Sequence, residues 1–171
     1  MSNDVSVPNV PSVVTVGGVT KDQLRRELRQ AGVSLNAMGQ TLLADDRLTI
    51  SESSYLVPIV VRTVRDLGFS EGATAAQIER CLSEFGFEAC PAELAPFLRL
   101  QFLDQPKEPR LTVFSRLISP YDVFPNGFYL QNRKDGLWLR GYTASFDWVF
   151  PPDENLVFKL SERTSGVSRN G

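Results

Sequence analysis

The sequence predicts an α+β fold made of two helix-turn-helix-strand units, a candidate internal repeat, followed by a small antiparallel β-meander. Three observations predict it. A capped amphipathic helix pattern occurs twice before residue 108, and each copy leads into a second helical segment and then a strand-like stretch. Beyond the proline-bracketed link Gln105-Pro106-Lys107-Glu108-Pro109, the pattern changes to short apolar runs broken by turn signals.

In chain order, residues 1–12 are rich in Asn, Pro and Ser and read as a disordered tail, as do residues 161–171. A helix is expected over 21–31. Thr20 is its N-cap, Gln23 completes a capping box, and Val19 and Leu24 hold the staple positions. Leu24, Leu28 and Ala31 form one apolar stripe, and Gly32 is placed to end the helix in the left-handed conformation. Asn36 caps a weaker helix over 37–44, and residues 55–64 read as a strand.

The same grammar returns 54 residues on: Gly18, Thr20, Gln23, Arg26, Leu28 and Gly32 match Gly72, Thr74, Gln77, Arg80, Leu82 and Gly86. A helical segment over 91–102 and a strand over 111–118 come next. Cap chemistry alone selects Thr, Gln and Gly at such places, so duplication and local convergence both account for the match. Later, Asn126-Gly127 and Lys134-Asp135-Gly136 are turn signals, the second joining 128–131 to 137–140 as a hairpin. Residues 147–150 and 156–160 add two short strands. The expected division is a mainly helical part over 13–108, with an antiparallel β part over 109–160 packed on it.

Composition excludes more than it assigns. The 171 residues contain no histidine, which removes the commonest general base and the orienting partner of the usual Ser and Cys nucleophiles. With only Cys81 and Cys90 besides carboxylates, no zinc site is expected, and neither metal nor cofactor is assigned. Eighteen Lys and Arg stand against twenty Asp and Glu, so no electrostatic drive toward nucleic acid or acidic lipid covers the whole surface. No apolar run approaches a membrane span and no signal-peptide core is visible, so a cytoplasmic location with reduced thiols is expected.

Cys81 shares the apolar stripe of Ile78, Leu82 and Phe85 and is expected in the core, whereas Cys90, before Pro91, is expected at an exposed turn. Asp45-Asp46 and Asp153-Glu154 read as solvated turns. Asp147, between Phe146 and Trp148, is a candidate for a raised pKa, though strand alternation points it outward. No phosphate-binding signature is present. Gly17-Gly18 could at most cradle an anion at a helix start. The helix pairs raise DNA binding, but the second helix of the first pair carries no cation and that of the second only Arg99. Instead Lys21, Arg25, Arg26 and Arg29 line the first helix, as candidates for phosphate or an acidic partner.

The strings Asp66-Leu67-Gly68-Phe69-Ser70-Glu71-Gly72-Ala73-Thr74, Leu98-Arg99-Leu100-Gln101-Phe102-Leu103-Asp104-Gln105-Pro106 and Gly136-Leu137-Trp138-Leu139-Arg140-Gly141-Tyr142 resemble a group of small uncharacterised bacterial proteins. The likeness spans roughly 16–158. It implies a bacterial source and a compact fold, and no mechanism.

The positive functional signal lies in the late aromatics. Tyr129 and Trp138 alternate out of phase with Phe128, Leu130, Leu137 and Leu139, so one set faces outward. A face of Tyr129, Arg133, Trp138 and Arg140 has the composition of an interaction hot spot. The expected function is a non-enzymatic interaction module whose partner is another protein, with nucleic acid unfavoured and the oligomeric state open. Two alternatives stand beside it. One is a nucleic-acid-associated protein in which the helix cations converge with Arg62, Arg65 or Arg99. The other is a histidine-free enzyme that brings together distant carboxylates such as Asp104 and Asp147.

Overall fold

The structure is a computed structural model that describes residues 7–120 and 124–162. Parts of both expected tails, residues 1–6 and 163–171, lie outside the described residues. The elements run β1 (Val13–Val16), α1 (Lys21–Gln30), β2 (Ser34–Leu35), α2 (Ala37–Ala44), β3 (Tyr55–Thr63), a 3-10 turn (Arg65–Leu67), β4 (Ala73–Thr74), α3 (Ala75–Phe85), β5 (Phe87–Glu88), α4 (Leu94–Gln101), β6 (Leu111–Val113), β7 (Gly127–Arg133), β8 (Gly136–Tyr142), β9 (Val149–Phe150) and β10 (Asn155–Leu160).

Local chemistry sets the helix starts. The Thr20 hydroxyl accepts from Gln23 N–H at 3.1 Å, and Asn36 Oδ1 accepts from Gly39 N–H at 2.8 Å. Among the described residues the reciprocal capping box forms at α3 alone, where Gln77 Oε1 also accepts from Thr74 N–H at 2.8 Å.

The expected architecture is corrected by the sheet. Strands pair in the order β1-β3-β10-β6-β7-β8-β2, with β5 beside β10, giving an eight-stranded curled sheet shaped like half a barrel. It is mixed: β10 runs parallel to β6 and β8 parallel to β2, while the other pairs are antiparallel. Among the described residues there are no helix-turn-helix units and no separate meander. After α1, and again after α3, a two-residue strand carries the chain into a sheet pairing before the next helix. The two similar segments also pack differently, because β2 pairs with β8 and β5 with β10. Strands on either side of the Gln105–Pro109 link share this one sheet.

Alternation along the central strands splits the core in two. Val157 joins Val57, Ile59, Leu98 and Leu130 in the larger cluster with α1, α2 and α4, while Leu156 and Phe158 join Ile78, Leu82, Phe87 and Phe114 under α3. Each fully buried side chain of this kind contributes about 1.5 to 3 kcal/mol. Val7, assigned by composition to the tail, is buried in the larger cluster at 3 % exposure. The outer edge of β1 is closed by the Gln101 carboxamide of α4, which accepts from Thr15 N–H at 3.0 Å and donates to Thr15 carbonyl at 2.8 Å. The side chain thus stands in for a missing strand.

Glu93 anchors the start of α4. Its buried carboxylate accepts from Ser51 N–H at 2.9 Å, Ser51 Oγ at 2.6 Å and Tyr55 Oη at 2.8 Å. Burial, aided by that hydrogen bond, pushes the Tyr55 phenol up to about 12 from 10.0. The fold therefore favours the protonated phenol. Its contribution is complete below about pH 10, where the unfolded chain's tyrosines start to ionise, and is lost as pH rises toward about 12. We expect the urea midpoint to fall between about pH 9.5 and about pH 11.5, and Tyr55→Phe to flatten that fall. An equal slope in the variant excludes Tyr55 as its source.

Among the described residues, no helix is long and apolar enough to cross a membrane.

Candidate functional site

Strand register places Arg62, Leu156, Thr112, Tyr129 and Arg140 in one cross-strand row on the α3 side of the sheet. α3 and its connections cover the Leu156 end. At the β7–β8 end nothing comparable among the described residues lies on the row, and Tyr129, Trp138 and Arg140 are half-buried while Arg133 is exposed. Their neighbours Phe128, Leu130 and Leu139 point the other way, into the larger core.

The four residues form a continuous stack. Arg133 lies 5.5 Å over the Trp138 ring and Arg140 lies 4.9 Å over the same ring. Arg140 also lies 5.9 Å over Tyr129 and donates through Nε to Tyr129 Oη at 2.7 Å. Arg110 continues the stack 5.2 Å over Tyr129 and forms an ion pair with Glu154 at 3.1 Å. Thr112 Oγ1 donates to the same Glu154 at 2.6 Å, giving that carboxylate a second partner beneath Arg110. The Trp138 indole donates to Asp135 at 2.8 Å, fixing the ring. Sequence reasoning missed Arg110 and read Glu154 as part of a solvated turn; its side chain is instead buried against Arg110 and Thr112, because only tertiary contact places both residues beside Tyr129.

Across Tyr142 from the stack is a mainly apolar cavity of about 460 Å³, floored by Phe114 and Phe150, flanked by Ala75 and Ala76 at the start of α3, rimmed by Leu117, Phe146 and Trp148, and edged by the charged Glu79 and Arg116. Phe146 is 74 % exposed at the tip of the β8–β9 loop, where Trp148 N–H donates to Ser145 carbonyl at 3.1 Å. A smaller cavity of about 200 Å³ borders Arg110, Thr112, Tyr129 and Glu154. Tyr142, Ala144, Trp148 and Phe150 line both cavities and form the wall between them. Burial, with Glu154 nearby, pushes the Tyr142 phenol up, so it stays protonated in this wall. The wall depends on Gly72: β9 pairs with β4, and a Cβ at Gly72 would lie 2.5 Å from the Phe150 carbonyl oxygen, on a backbone with φ of +94°.

The other candidate residues are placed elsewhere. Lys21 is spent inside the fold, donating through Nζ to the Asp45 carbonyl at 2.9 Å at the C-terminus of α2. Arg25 is half-buried, and only Arg26 and Arg29 of the helix stripe are exposed. Arg99 is fully buried, so it cannot join a surface with them; Arg62 lies over Phe87 and Arg65 pairs with Asp153. Asp147 is exposed and bonded to Ser145 Oγ at 2.7 Å, which holds its carboxyl below the usual range, opposite to the raised value that its aromatic neighbours suggest. Asp104 is exposed, and neither aspartate lines a described cavity.

Cys90 departs from the exposed turn expected for it, whereas Cys81 packs against the smaller core beside Ile78 and Leu82 as its stripe predicts. Cys90 is fully buried, its thiol bonding to Val157 carbonyl at 3.5 Å and pushed far up by burial, because its backbone bridges to Ser115 beside β6. Cys81 is half-buried and pushed up by burial and by Glu84. Native protein at about pH 8 is therefore expected to take up iodoacetamide slowly at Cys81 alone, with Cys90 modified only in denaturant. Mass spectrometry showing fast double labelling of the folded chain contradicts this.

Fold and site together define a curled-sheet scaffold with helices α1, α2 and α4 packed on one face and α3 on part of the other, where arginines and aromatic rings lie across Tyr142 from a mainly apolar cleft. No family model matches the chain, and neither a curated protein nor a solved structure matches it significantly.

Proposed function

We propose that this protein is a non-enzymatic interaction module of the cytoplasm, an adaptor, inhibitor or immunity-type partner that docks another protein on the open half of its sheet. One observation carries the reading. The stacked Arg and aromatic residues connect, through the contact of the Tyr129 and Tyr142 rings at 6.4 Å, to a mainly apolar cleft whose rim residues Phe146, Trp148 and Leu117 are 74 %, 48 % and 53 % exposed. Trp, Tyr and Arg around a cleft are what interface hot spots are made of, and isolated surface side chains of this size gain nothing from water. Of the carboxylates nearby, Glu154 is paired with Arg110 and Asp147 with Ser145, and among the described residues lining the cleft Glu79 has no second carboxylate beside it, which supports binding over two-carboxylate acid–base chemistry. Two free cysteines support the reducing compartment.

Both rings of the stack are covered by guanidinium groups, so a nucleic-acid base would have to displace an arginine to stack there. That favours a protein partner. The test is affinity capture from native lysate with the wild type, Arg140→Glu and Phe146→Ser. A partner held by the wild type and lost by both variants, each with unchanged thermal stability, is the expected result. Identical capture by all three, or retention only of single-stranded nucleic acid, overturns the proposal.

A further inference from the structure

We infer that the docked partner segment is an extended acidic peptide with one bulky apolar anchor residue, the anchor seated in the 460 Å³ cavity and carboxylates two and four residues away held by Arg140 and Arg133. This rests on the interaction reading above and specifies its partner.

Charge is the first argument. The chain as a whole has a formal charge of −2, yet the stack carries the guanidiniums of Arg110, Arg133 and Arg140 against two carboxylates, Glu154 beneath Arg110 and Asp135 at the Trp138 indole, a local excess of one positive charge. Arg110 is already paired with that carboxylate. Arg140 uses only Nε, on Tyr129, and among the described residues the Arg133 side chain donates to no acceptor; both guanidiniums are nonetheless held in place by Trp138 between them. Two prepositioned cations with unused N–H edges fit carboxylates, and their ordering cost is already met.

Spacing is the second. Tyr142, Arg140 and Trp138 follow at two-residue intervals on β8, and Tyr142 lines the cavity while Trp138 carries Arg133. At about 3.3 Å per residue, the cavity end and the Trp138 end lie roughly 13 Å apart. An extended peptide has the same repeat, so side chains at i, i+2 and i+4 reach the cavity, Arg140 and Arg133 in turn. A cavity of this volume takes a Phe, Leu or Trp side chain with room to enter from solvent.

The experiment uses the intact chain and its own fluorescence. Both tryptophans lie at this face, Trp148 on the cavity rim and Trp138 in the stack, so a tryptophan-free peptide is read only where it is proposed to bind. The probe is a capped peptide, Thr-Asp-Thr-Asp-Thr-Phe-Thr-Asp-Thr-Asp-Thr, whose symmetry lets either chain direction meet the arginines. We expect it to bind at least about tenfold more tightly at low salt than peptides with Asn for Asp, Ala for Phe, or Asp moved to the odd positions. That advantage is expected to collapse near about 0.5 M salt, and Arg140→Gln is expected to abolish the preference for Asp over Asn. Equal binding of the Asp and Asn peptides overturns the acidic assignment while the docking cleft stands. Equal binding of the Phe and Ala peptides overturns the anchor. If no peptide alters the fluorescence while Arg140→Glu still abolishes lysate capture, this inference fails and the interaction reading survives; loss of both results removes both.

Discussion

Replacing Arg99 is expected to cost more stability than any other single polar substitution in the molecule. Its side chain is fully buried, with no carboxylate partner among the described residues. One terminal nitrogen donates to Gln105 Oε1 at 2.7 Å and to the Trp138 carbonyl at 3.2 Å, the other to the Phe102 carbonyl at 2.5 Å. Carbonyl dipoles and the negative end of α4 replace the missing counter-charge. Burial draws the guanidinium down to about 10, so it remains charged at neutral pH. Gln105 extends the network, donating to Leu130 carbonyl at 3.1 Å, and Asn132 Nδ2 donates to Gln105 carbonyl at 2.7 Å. Arg99 thus ties α4 to β7 and β8, directly behind the Arg and aromatic stack.

Arg99→Ala leaves these acceptors unpaired and opens a cavity, a loss of about 3 to 5 kcal/mol. For a chain of this length that corresponds to a melting temperature lower by roughly 8 to 15 °C. Arg99→Lys is expected to recover less than half, because an ammonium lacks the planar fork that reaches all three acceptors. Thermal melts in which Arg99→Met equals the wild type would show the network to be dispensable.

Gly141→Val is expected to have the second large effect, for a steric reason. A Cβ at Gly141 would lie 2.6 Å from the Met38 carbonyl carbon and 2.7 Å from the Gly39 nitrogen, both backbone atoms of the first turn of α2. Helix and strand therefore meet backbone to backbone. Asn36 fastens the contact: its Oδ1 accepts from Gly141 N–H at 2.8 Å and its Nδ2 donates to Gly141 carbonyl at 3.0 Å, while Oδ1 also caps α2. No flexible side-chain end can yield, so α2 must lift off β8. We expect a loss of about 3 kcal/mol in a denaturant titration and faster amide exchange at Gly39. Gly32→Asn is the control. Gly32 is left-handed at φ +77°, and a Cβ there would meet no neighbouring atom within 4 Å. Asn tolerates that conformation, so less than about 1 kcal/mol should be lost. Equal losses at both positions contradict the steric account.

The elements legible in the sequence are those whose signals are local. α2 spans Ala37–Ala44, as read from Asn36 and its apolar residues, and α1 and α3 start at the threonines that cap them. The β7–β8 hairpin follows from Lys134-Asp135-Gly136, with Gly136 at φ +116°. β1, β2, β4 and β5 have four residues or fewer, too short to show a period, and each exists because a distant strand supplies its hydrogen bonds. Without them, helix-strand-helix passages read as helix-turn-helix units and a single mixed sheet reads as a meander. Arg99 shows the same limit at one residue. A cation near a helix end ordinarily faces water, and nothing local announces that Trp138 and Gln105 will arrive to receive it.

The sequence by itself determined where helices begin, where the late hairpin turns, and that Tyr129 and Trp138 are out of phase with Leu130 and Leu139, because caps, turn conformations and strand alternation act over a few residues. Tertiary structure alone decided that α3 covers only part of its side of the sheet, that Arg110 and Glu154 complete the stack, and that Phe146, Trp148 and Leu117 rim one cleft. Those outcomes depend on pairings between residues tens of positions apart, whose loop-closure cost is offset only when the whole core forms at once.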